Sequence, residues 1–252
     1  MIQVPKNLAP YLEIEDCSSF PISRYYVTKD MDEILRDILR AERTVDKMHQ
    51  LGLSYLNSTI LYGVPGTGKT TAARYIAFKL EKPLAKMNFA KILGAENGQA
   101  AVIISDIFRF MAGVDCIFLL DEIDCIGKKR GTENAASGDA LTIVILQELD
   151  YYKDHRLKAI LMAATNRVDI LDEAIVSRFA IQHQLKPLTN EDTENYAKKF
   201  LKDIGVPFDE NNIEEYAGNN SALTQRNVEA DMVRCIATWV DTGEAFVLNH
   251  IG

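Results

Sequence analysis

The sequence predicts an α/β protein: a parallel sheet of five strands with helices on both faces, followed by a small α-helical domain. Three observations support this fold class. Short apolar segments alternate with helix-forming segments between residues 59 and 185, a pattern typical of parallel sheets. A glycine-rich turn at residues 63–70 lies between the first apolar segment and a helix-forming segment. After Pro187 the pattern predicts helices only.

The five predicted strands are short runs of apolar and β-branched residues. They span residues 59–62, 84–89, 116–120, 157–164 and 181–185. The third run consists entirely of apolar residues, which is typical of a strand covered on both faces. These runs therefore predict a sheet that lies buried between helices.

The predicted helices carry apolar residues at helical spacing. The first begins at a capping box formed by Asp30 and Glu33 and ends near Gly52. Further helices are predicted at residues 69–80, 99–112, 140–152, 171–177, 189–204, 210–217 and 224–240.

Three segments follow from this pattern. Residues 1–27 show little periodicity and contain three prolines, which predicts an extended arm that wraps the body or contacts a partner. Residues 28–186 form the predicted α/β domain, and residues 187–252 form the predicted helical domain.

The composition limits the classes of partner. The 252 residues include 36 acidic and 28 basic side chains, and the net charge of −8 argues against broad affinity for nucleic acid or anionic membranes. No apolar run is long enough to span a membrane, and the first ten residues lack the pattern of a signal peptide. The four cysteines form no C-x-x-C pair, which favours free thiols. We therefore expect a cytoplasmic protein that does not bind membranes.

Residues 63–70 match the phosphate-binding pattern G-x-x-x-x-G-K-[ST]. Gly66 and Gly68 can adopt backbone angles closed to other residues, so successive N–H groups can point toward a phosphate. The helix that begins near Lys69 adds a favourable dipole. The pattern predicts that Lys69 reaches the β- and γ-phosphates of a nucleotide and that Thr70 binds Mg²⁺.

Two acidic residues follow the third predicted strand. Asp121 is predicted to hold the Mg²⁺ shell, and Glu122 is predicted to polarise the water that attacks the γ-phosphate. The alternative is a solvated acidic turn. The phosphate-binding pattern upstream favours nucleotide hydrolysis over that alternative.

Together, these motifs resemble those of the AAA+ ATPases. Residues 61–70 resemble the family's L-Y-G-P-P-G-T-G-K-T, residues 121–131 its D-E-I-D-A-I-G-x-x-R, and residues 163–167 its A-T-N-R. Leu51-Gly52-Leu53 is similar to the family's L-G-I before the first strand. The resemblance covers roughly residues 25 to 240 and implies a P-loop NTPase fold with an α-helical lid, ATP as the nucleotide and Mg²⁺ as the cofactor.

The resemblance also assigns roles to single residues. Asn166 corresponds to sensor 1, which positions the attacking water; Arg178 corresponds to the arginine finger, which reaches the nucleotide of a neighbouring subunit. Arg226 corresponds to the sensor 2 arginine of the lid. A turn cap at Asn166 and solvated arginines at the other two positions are the alternatives. The nucleotide-binding residues implied in this way are Tyr26, Val27, Pro65, Gly66, Thr67, Gly68, Lys69, Thr70 and Thr71.

Two departures leave the subfamily open. Ile175 stands where protease-linked members carry an additional arginine, and Gln225-Arg226-Asn227 stands where they usually carry G-A-D. A single finger with a lid arginine is similar to the arrangement in clamp loaders.

The substrate-gripping loops are a further point of comparison. Polypeptide-threading members carry an aromatic residue after the second strand, and Ile92 occupies that position within residues 91–96. Ile92 and Leu93 could grip a chain, or the segment could be an ordinary connection packed on the sheet. Residues 131–139 correspond to a second, mobile pore loop.

The implied activity is ATP hydrolysis by a homo-oligomeric ring, expected to be a hexamer, that remodels a macromolecular partner. A protein substrate or adaptor is favoured, because the segment at 121–130 is typical of protein-remodelling members and the chain is acidic. The alternatives are a DNA-associated factor similar to a clamp or helicase loader, and a scaffold that binds ATP but hydrolyses it slowly.

Overall fold

The computed structural model describes residues 2–95, 98–126, 135–155 and 157–250, with the backbone alone for 135–139. The strands in these ranges are β1 (Leu12–Glu15), β2 (Ser58–Tyr62), β3 (Leu84–Met87), β4 (Ile117–Asp121), β5 (Ile160–Thr165) and β6 (Ile181–Gln184). The α-helices are α1 (Lys29–Gln50), α2 (Lys69–Lys79), α3 (Phe89–Leu93), α4 (Gln99–Ala112), α5 (Ala135–Asp154), α6 (Glu173–Val176), α7 (Asn190–Ile204), α8 (Glu210–Asn219) and α9 (Gln225–Thr242).

The chain divides into two compact units. The first comprises Met1–Phe20, Glu33–Gly63 and Lys69–Gln184, and the second comprises Pro21–Asp32, Val64–Gly68 and Leu185–Gly252. The predicted limits of the arm, the α/β domain and the lid stay predictions.

The first unit contains one six-stranded sheet in the order β1-β3-β4-β5-β2-β6. Five of its strands run parallel, which confirms the predicted α/β class, and β1 adds an antiparallel strand at the edge. Part of the predicted arm is therefore regular structure. The Glu13 carboxylate lies 3.1 Å from Lys86 Nζ and accepts a hydrogen bond from Asn88 across this edge, and both contacts lower its pKa.

Helices α4 and α5 contact each other in the first unit, and rings from both contribute to its core. The ring of Phe108 packs edge-on against Phe118 at 5.3 Å and against Tyr152 at 5.1 Å, and all three side chains are fully buried. The hydroxyl of Tyr152 donates to the carbonyl oxygen of Phe108, so this buried polar group is satisfied.

Several element ends differ from those predicted. Strand β3 ends at Met87 rather than at residue 89, because the Asn88 side chain accepts a hydrogen bond from the Lys91 N–H and caps α3. Helix α5 extends beyond the predicted 140–152 on both sides. Strand β5 begins at Ile160, three residues after the predicted start at 157.

The second unit contains helices α7, α8 and α9, which surround an apolar cluster that includes Phe200, Ile213 and Met232. Thr189 and Thr224 form capping boxes at the starts of α7 and α9. No helix among the described residues is both long enough and apolar enough to pass through a membrane.

A buried carboxylate fastens the segment after α9 to this unit. Asp231 accepts hydrogen bonds from the Tyr216 hydroxyl at 2.7 Å and from Arg234 at 3.0 Å, and its other close contact is His250 Nδ1 at 2.6 Å. Phe246 and Leu248 of the same segment are buried in the apolar cluster.

The four cysteines are free thiols in different surroundings. Burial raises the pKa of Cys17 to about 11 and that of Cys116 to about 12. Cys235 is buried, and Cys125 is exposed.

Candidate functional site

Strands β2, β4 and β5 of the first unit end at the same edge of the sheet, namely the one formed by the carboxyl ends of the parallel strands. They are parallel, with Tyr62 opposite Thr165 and Asp121 opposite Ala164. Glu122 and Asn166 each follow one of these strand ends directly. The fold therefore brings together residues that are distant in the sequence, as the carboxyl ends of parallel strands do in other α/β proteins.

Lys69 and Thr70 open α2 at this edge. The ammonium group of Lys69, a residue that is only 8% exposed, donates to the carbonyl oxygen of Gly63 at 2.8 Å. The hydroxyl of Thr70 donates to Asp121 Oδ2 at 2.9 Å. This contact joins the phosphate-binding motif to the acidic strand end. It also places a hydroxyl and a carboxylate side by side, the oxygen ligands that Mg²⁺ prefers, so these residues fit the implied ion.

Glu122 adopts an unusual backbone conformation. Its φ of 55° and ψ of 42° lie in the left-handed region, and its side chain is exposed. A non-glycine residue held there stores on the order of 1 kcal/mol or more, and such strain clusters at functional sites. The geometry is compatible with the predicted role of Glu122.

Thr165 connects the acidic turn after β4 with the segment that carries Asn166. The sequence did not reveal this role. Its hydroxyl donates to Asp124 Oδ1 at 2.6 Å and accepts a hydrogen bond from the Arg167 N–H at 2.9 Å. Thr165 is fully buried, and Asn166 follows it. The backbone on both sides of Asn166 is therefore tied to the turn that carries Glu122.

Arg178 forms a bidentate ion pair with Asp150 of α5. Its Nε lies 2.8 Å from Asp150 Oδ1 and its second terminal nitrogen lies 3.0 Å from Oδ2. The remaining terminal nitrogen donates to the carbonyl oxygen of Ala174 at 2.8 Å. The guanidinium group is thus held in one orientation by α5 and α6. No sequence pattern points to Asp150 as the partner of Arg178, because the pair joins residues from different elements.

In the second unit, residues 64–68 lie against the first turn of α9. Gly66 and Gly68 have φ values of +89° and +86°, which confirms the need for glycine there. The Thr67 hydroxyl donates to the carbonyl oxygen of Val64 at 2.9 Å, and the Arg226 N–H donates to that of Gly66 at 3.2 Å. Pro65 and the Arg226 side chain are exposed, and Thr71 lies in α2 of the first unit.

Tyr26 and Val27 also belong to the second unit, and both are partly buried. The Tyr26 hydroxyl donates to Asp192 Oδ1 of α7 at 3.0 Å. Burial is the larger cause, and this hydrogen bond the smaller cause, of the raised pKa of Tyr26. The Tyr26 ring centroid lies 6.3 Å from that of Tyr196. Their assignment to an adenine pocket stays a prediction.

The gripping role considered for Ile92 is wrong. Ile92 lies in the short helix α3, is completely buried and belongs to the core of the first unit, so the alternative of a packed connection holds for it. Leu93, next to it, is 47% exposed. Of the second predicted pore loop, residues 131–134 lie outside the described residues. The backbone of residues 135–139 is helical and begins α5, so this part is not a loop.

A family model for the "ATPase family associated with various cellular activities (AAA)" matches residues 59–187. This range includes the motifs at β2, β4 and β5 and extends past Arg178.

Three curated proteins illustrate what the chain is similar to. It is 29% identical to 26S proteasome regulatory subunit 6A of Saccharomyces cerevisiae over 81% of this chain and 49% of that protein. It is 30% identical to the subunit of the same name of Schizosaccharomyces pombe, over 92% of this chain and 56% of that protein. It is 33% identical to the ATP-dependent zinc metalloprotease FtsH of Corynebacterium glutamicum, over 66% of this chain and 21% of that protein. The chain therefore spans about half, or less, of the length of these relatives.

Proposed function

Because the chain belongs to the AAA family of ATPases, we propose that it couples Mg²⁺-dependent ATP hydrolysis in an oligomeric ring to the remodelling of another protein. The observation that carries the nucleotide chemistry is the 2.9 Å hydrogen bond between Thr70 and Asp121. It unites the two motifs that phosphoryl transfer requires.

The site residues of the first unit have separate tasks in this proposal. Lys69 binds the β- and γ-phosphates with its ammonium group, and Thr70 and Asp121 hold the ion. Bound Mg²⁺ supplies charge neutralisation at the phosphate oxygens. Glu122 polarises the attacking water, and Asn166 orients it.

Arg178 acts between subunits in this proposal. An arginine that stabilises the transition-state charge is worth about 10³–10⁵ in rate. If a neighbouring subunit supplies it, turnover requires assembly, and a hexameric ring is the assembly that we propose. Arg226 is proposed to respond to the nucleotide from the lid.

The proposed partner is a protein. The names of the relatives refer to the proteasome and to a metalloprotease. The acidic net charge of −8 also disfavours DNA as the substrate. The exposed Leu93 is an apolar side chain at the first predicted gripping loop that a threaded chain could meet. A cytoplasmic location is part of the proposal.

A turnover assay with matched variants tests the nucleotide chemistry. We expect hydrolysis that needs Mg²⁺, that rises with protein concentration as rings form, and that does not respond to added DNA. Glu122→Gln should keep ATP binding and lose about 100-fold or more of turnover, whereas Lys69→Ala should lose binding. Unchanged turnover in Glu122→Gln would show that another group activates the water.

A mixing experiment tests the ring. Arg178→Ala and Glu122→Gln subunits are each expected to be inactive alone. Mixed rings should recover activity, because an intact Arg178 then faces an intact Glu122. A lack of recovery in rings shown by mass to be mixed would contradict action between subunits.

A further inference from the structure

The first turn of α9 lies unusually close to the glycine-rich loop within the second unit. A β-carbon built on Gly68 would lie 2.5 Å from Gln225 Oε1, and one built on Gly66 would lie 2.7 Å from Thr224 Oγ1 and 3.2 Å from Arg226 Cβ. A β-carbon at either position would force a neighbouring side chain of α9 or its cap to shift, so glycine provides clearance for α9 as well as backbone freedom.

The carboxamide of Gln225 lies next to Gly68. Both of its ends are near, since Oε1 lies 2.5 Å and Nε2 lies 4.0 Å from the β-carbon position at Gly68. The Arg226 N–H donates to the Gly66 carbonyl and fixes this turn of α9 on the loop. The residues that follow Gly66 form the part of the loop whose amides face phosphate in this type of motif.

The chemistry of a glutamine suits that position. A carboxamide offers two N–H donors, and a phosphate oxygen is a strong acceptor for them. Glutamine also carries no charge, so it does not repel the phosphates as a carboxylate would.

We propose that Gln225 is a phosphate-recognising residue of the nucleotide site: its carboxamide donates a hydrogen bond to a phosphate oxygen of a nucleoside di- or triphosphate held by residues 64–68. The proposal rests on the proposed function, because it presumes that this loop binds ATP. It assigns to the lid helix a phosphate ligand that is distinct from Arg226.

Two variants of Gln225 test the proposal through the dissociation constants of ATP, ADP and adenosine, measured by calorimetry. Gln225→Ala should weaken binding of ATP and ADP about 10-fold, since a hydrogen bond to a charged group is lost. Gln225→Glu should weaken it further, because a carboxylate faces the phosphates. Adenosine has no phosphate, so its affinity should stay within about twofold of that of the original protein in both variants.

Each control separates one failure from another. Glu229→Gln changes an exposed side chain one turn further along α9 and should bind all three ligands normally. Thermal unfolding without nucleotide should show that each variant is folded. If the unaltered protein binds neither ATP nor ADP, the proposed function itself fails.

Loss of ATP binding in Lys69→Ala would show that the phosphate-binding motif binds ATP. Three results would then overturn the inference about Gln225 without affecting the proposed function. Unchanged affinity in both Gln225 variants would mean that the side chain only packs on the loop. Tighter binding in Gln225→Ala would mean that it competes with the phosphates. An equal loss for adenosine and ADP would place its effect away from the phosphates.

Discussion

The ion pair between Arg178 and Asp150 yields a prediction that separates stability from catalysis. The substitution Asp150→Ala removes both carboxylate oxygens that hold the guanidinium group at 2.8 and 3.0 Å. Hydrogen bonds between charged groups contribute about 1.5–3 kcal/mol in protected surroundings. The Asp150 side chain is 53% exposed, however, and exposed pairs contribute about 0.2–1 kcal/mol because water screens them.

The expected loss of unfolding free energy is therefore below about 1 kcal/mol. For a chain of this size that corresponds to a decrease in Tm of at most about 2–4 °C. The catalytic effect should be much larger, because misplacing a catalytic group by about 1 Å can cost about 100-fold in rate. We expect Asp150→Ala to lower ATP turnover in assembled rings by about 10- to 100-fold, with nucleotide affinity unchanged.

The assay compares turnover, nucleotide affinity and ring mass for Asp150→Ala and for Asp154→Asn. Asp154 is an exposed carboxylate on the same helix that accepts a hydrogen bond from Ser54 and does not contact Arg178, so it is the matched control. Normal turnover in Asp150→Ala would refute the reasoning that this pair positions Arg178. Increased turnover would show that the pair restrains Arg178 in an inactive orientation.

Three further predictions concern other contacts. Thr165→Val keeps the shape of the side chain but removes the hydroxyl that bonds to Asp124, so turnover should fall about 10-fold or more with little change in ATP affinity; an unaltered rate would mean that this link is only structural. Gly66→Ala should abolish ATP binding, because its β-carbon would meet Thr224 and its φ of +89° disfavours alanine; binding within twofold of normal would contradict the geometry. At pH 8, a maleimide should label Cys125 at least 100-fold faster than the three buried thiols, because burial shields all three from the reagent and raises the pKa of Cys17 and Cys116. Mass spectrometry of digested protein identifies the labelled site, and equal rates would refute this assignment of burial.

The sequence predicted the local elements of the site well because their signals are local. The apolar run at β4 and the glycines of the loop each encode their own conformation. The alternation of strands and helices then determines that strand ends share one edge. These features are enough to place Thr70 near Asp121.

What the sequence could not predict depends on long-range packing. The burial of Ile92 follows from the side on which α3 packs, and an apolar residue in a short segment gives no sign of that side. The pairing of β1 with β3 could not be predicted either, since an isolated run of four residues shows too little periodicity. The partners Asp150 and Gln225 were likewise invisible, because each meets its counterpart only in the folded chain.

The buried Asp231 holds the segment after α9 against the second unit. Its carboxylate holds partners from α8, from α9 and from His250, so three stretches of chain share one charge. Releasing residues 246–250 would remove one partner from the buried Asp231 carboxylate, and it would expose Phe246 and Leu248 to solvent. For folding purposes, residues 246–250 therefore belong to the helical unit as fully as its helices do. A tether attached beyond them would pull on the helical unit itself rather than on a loose end.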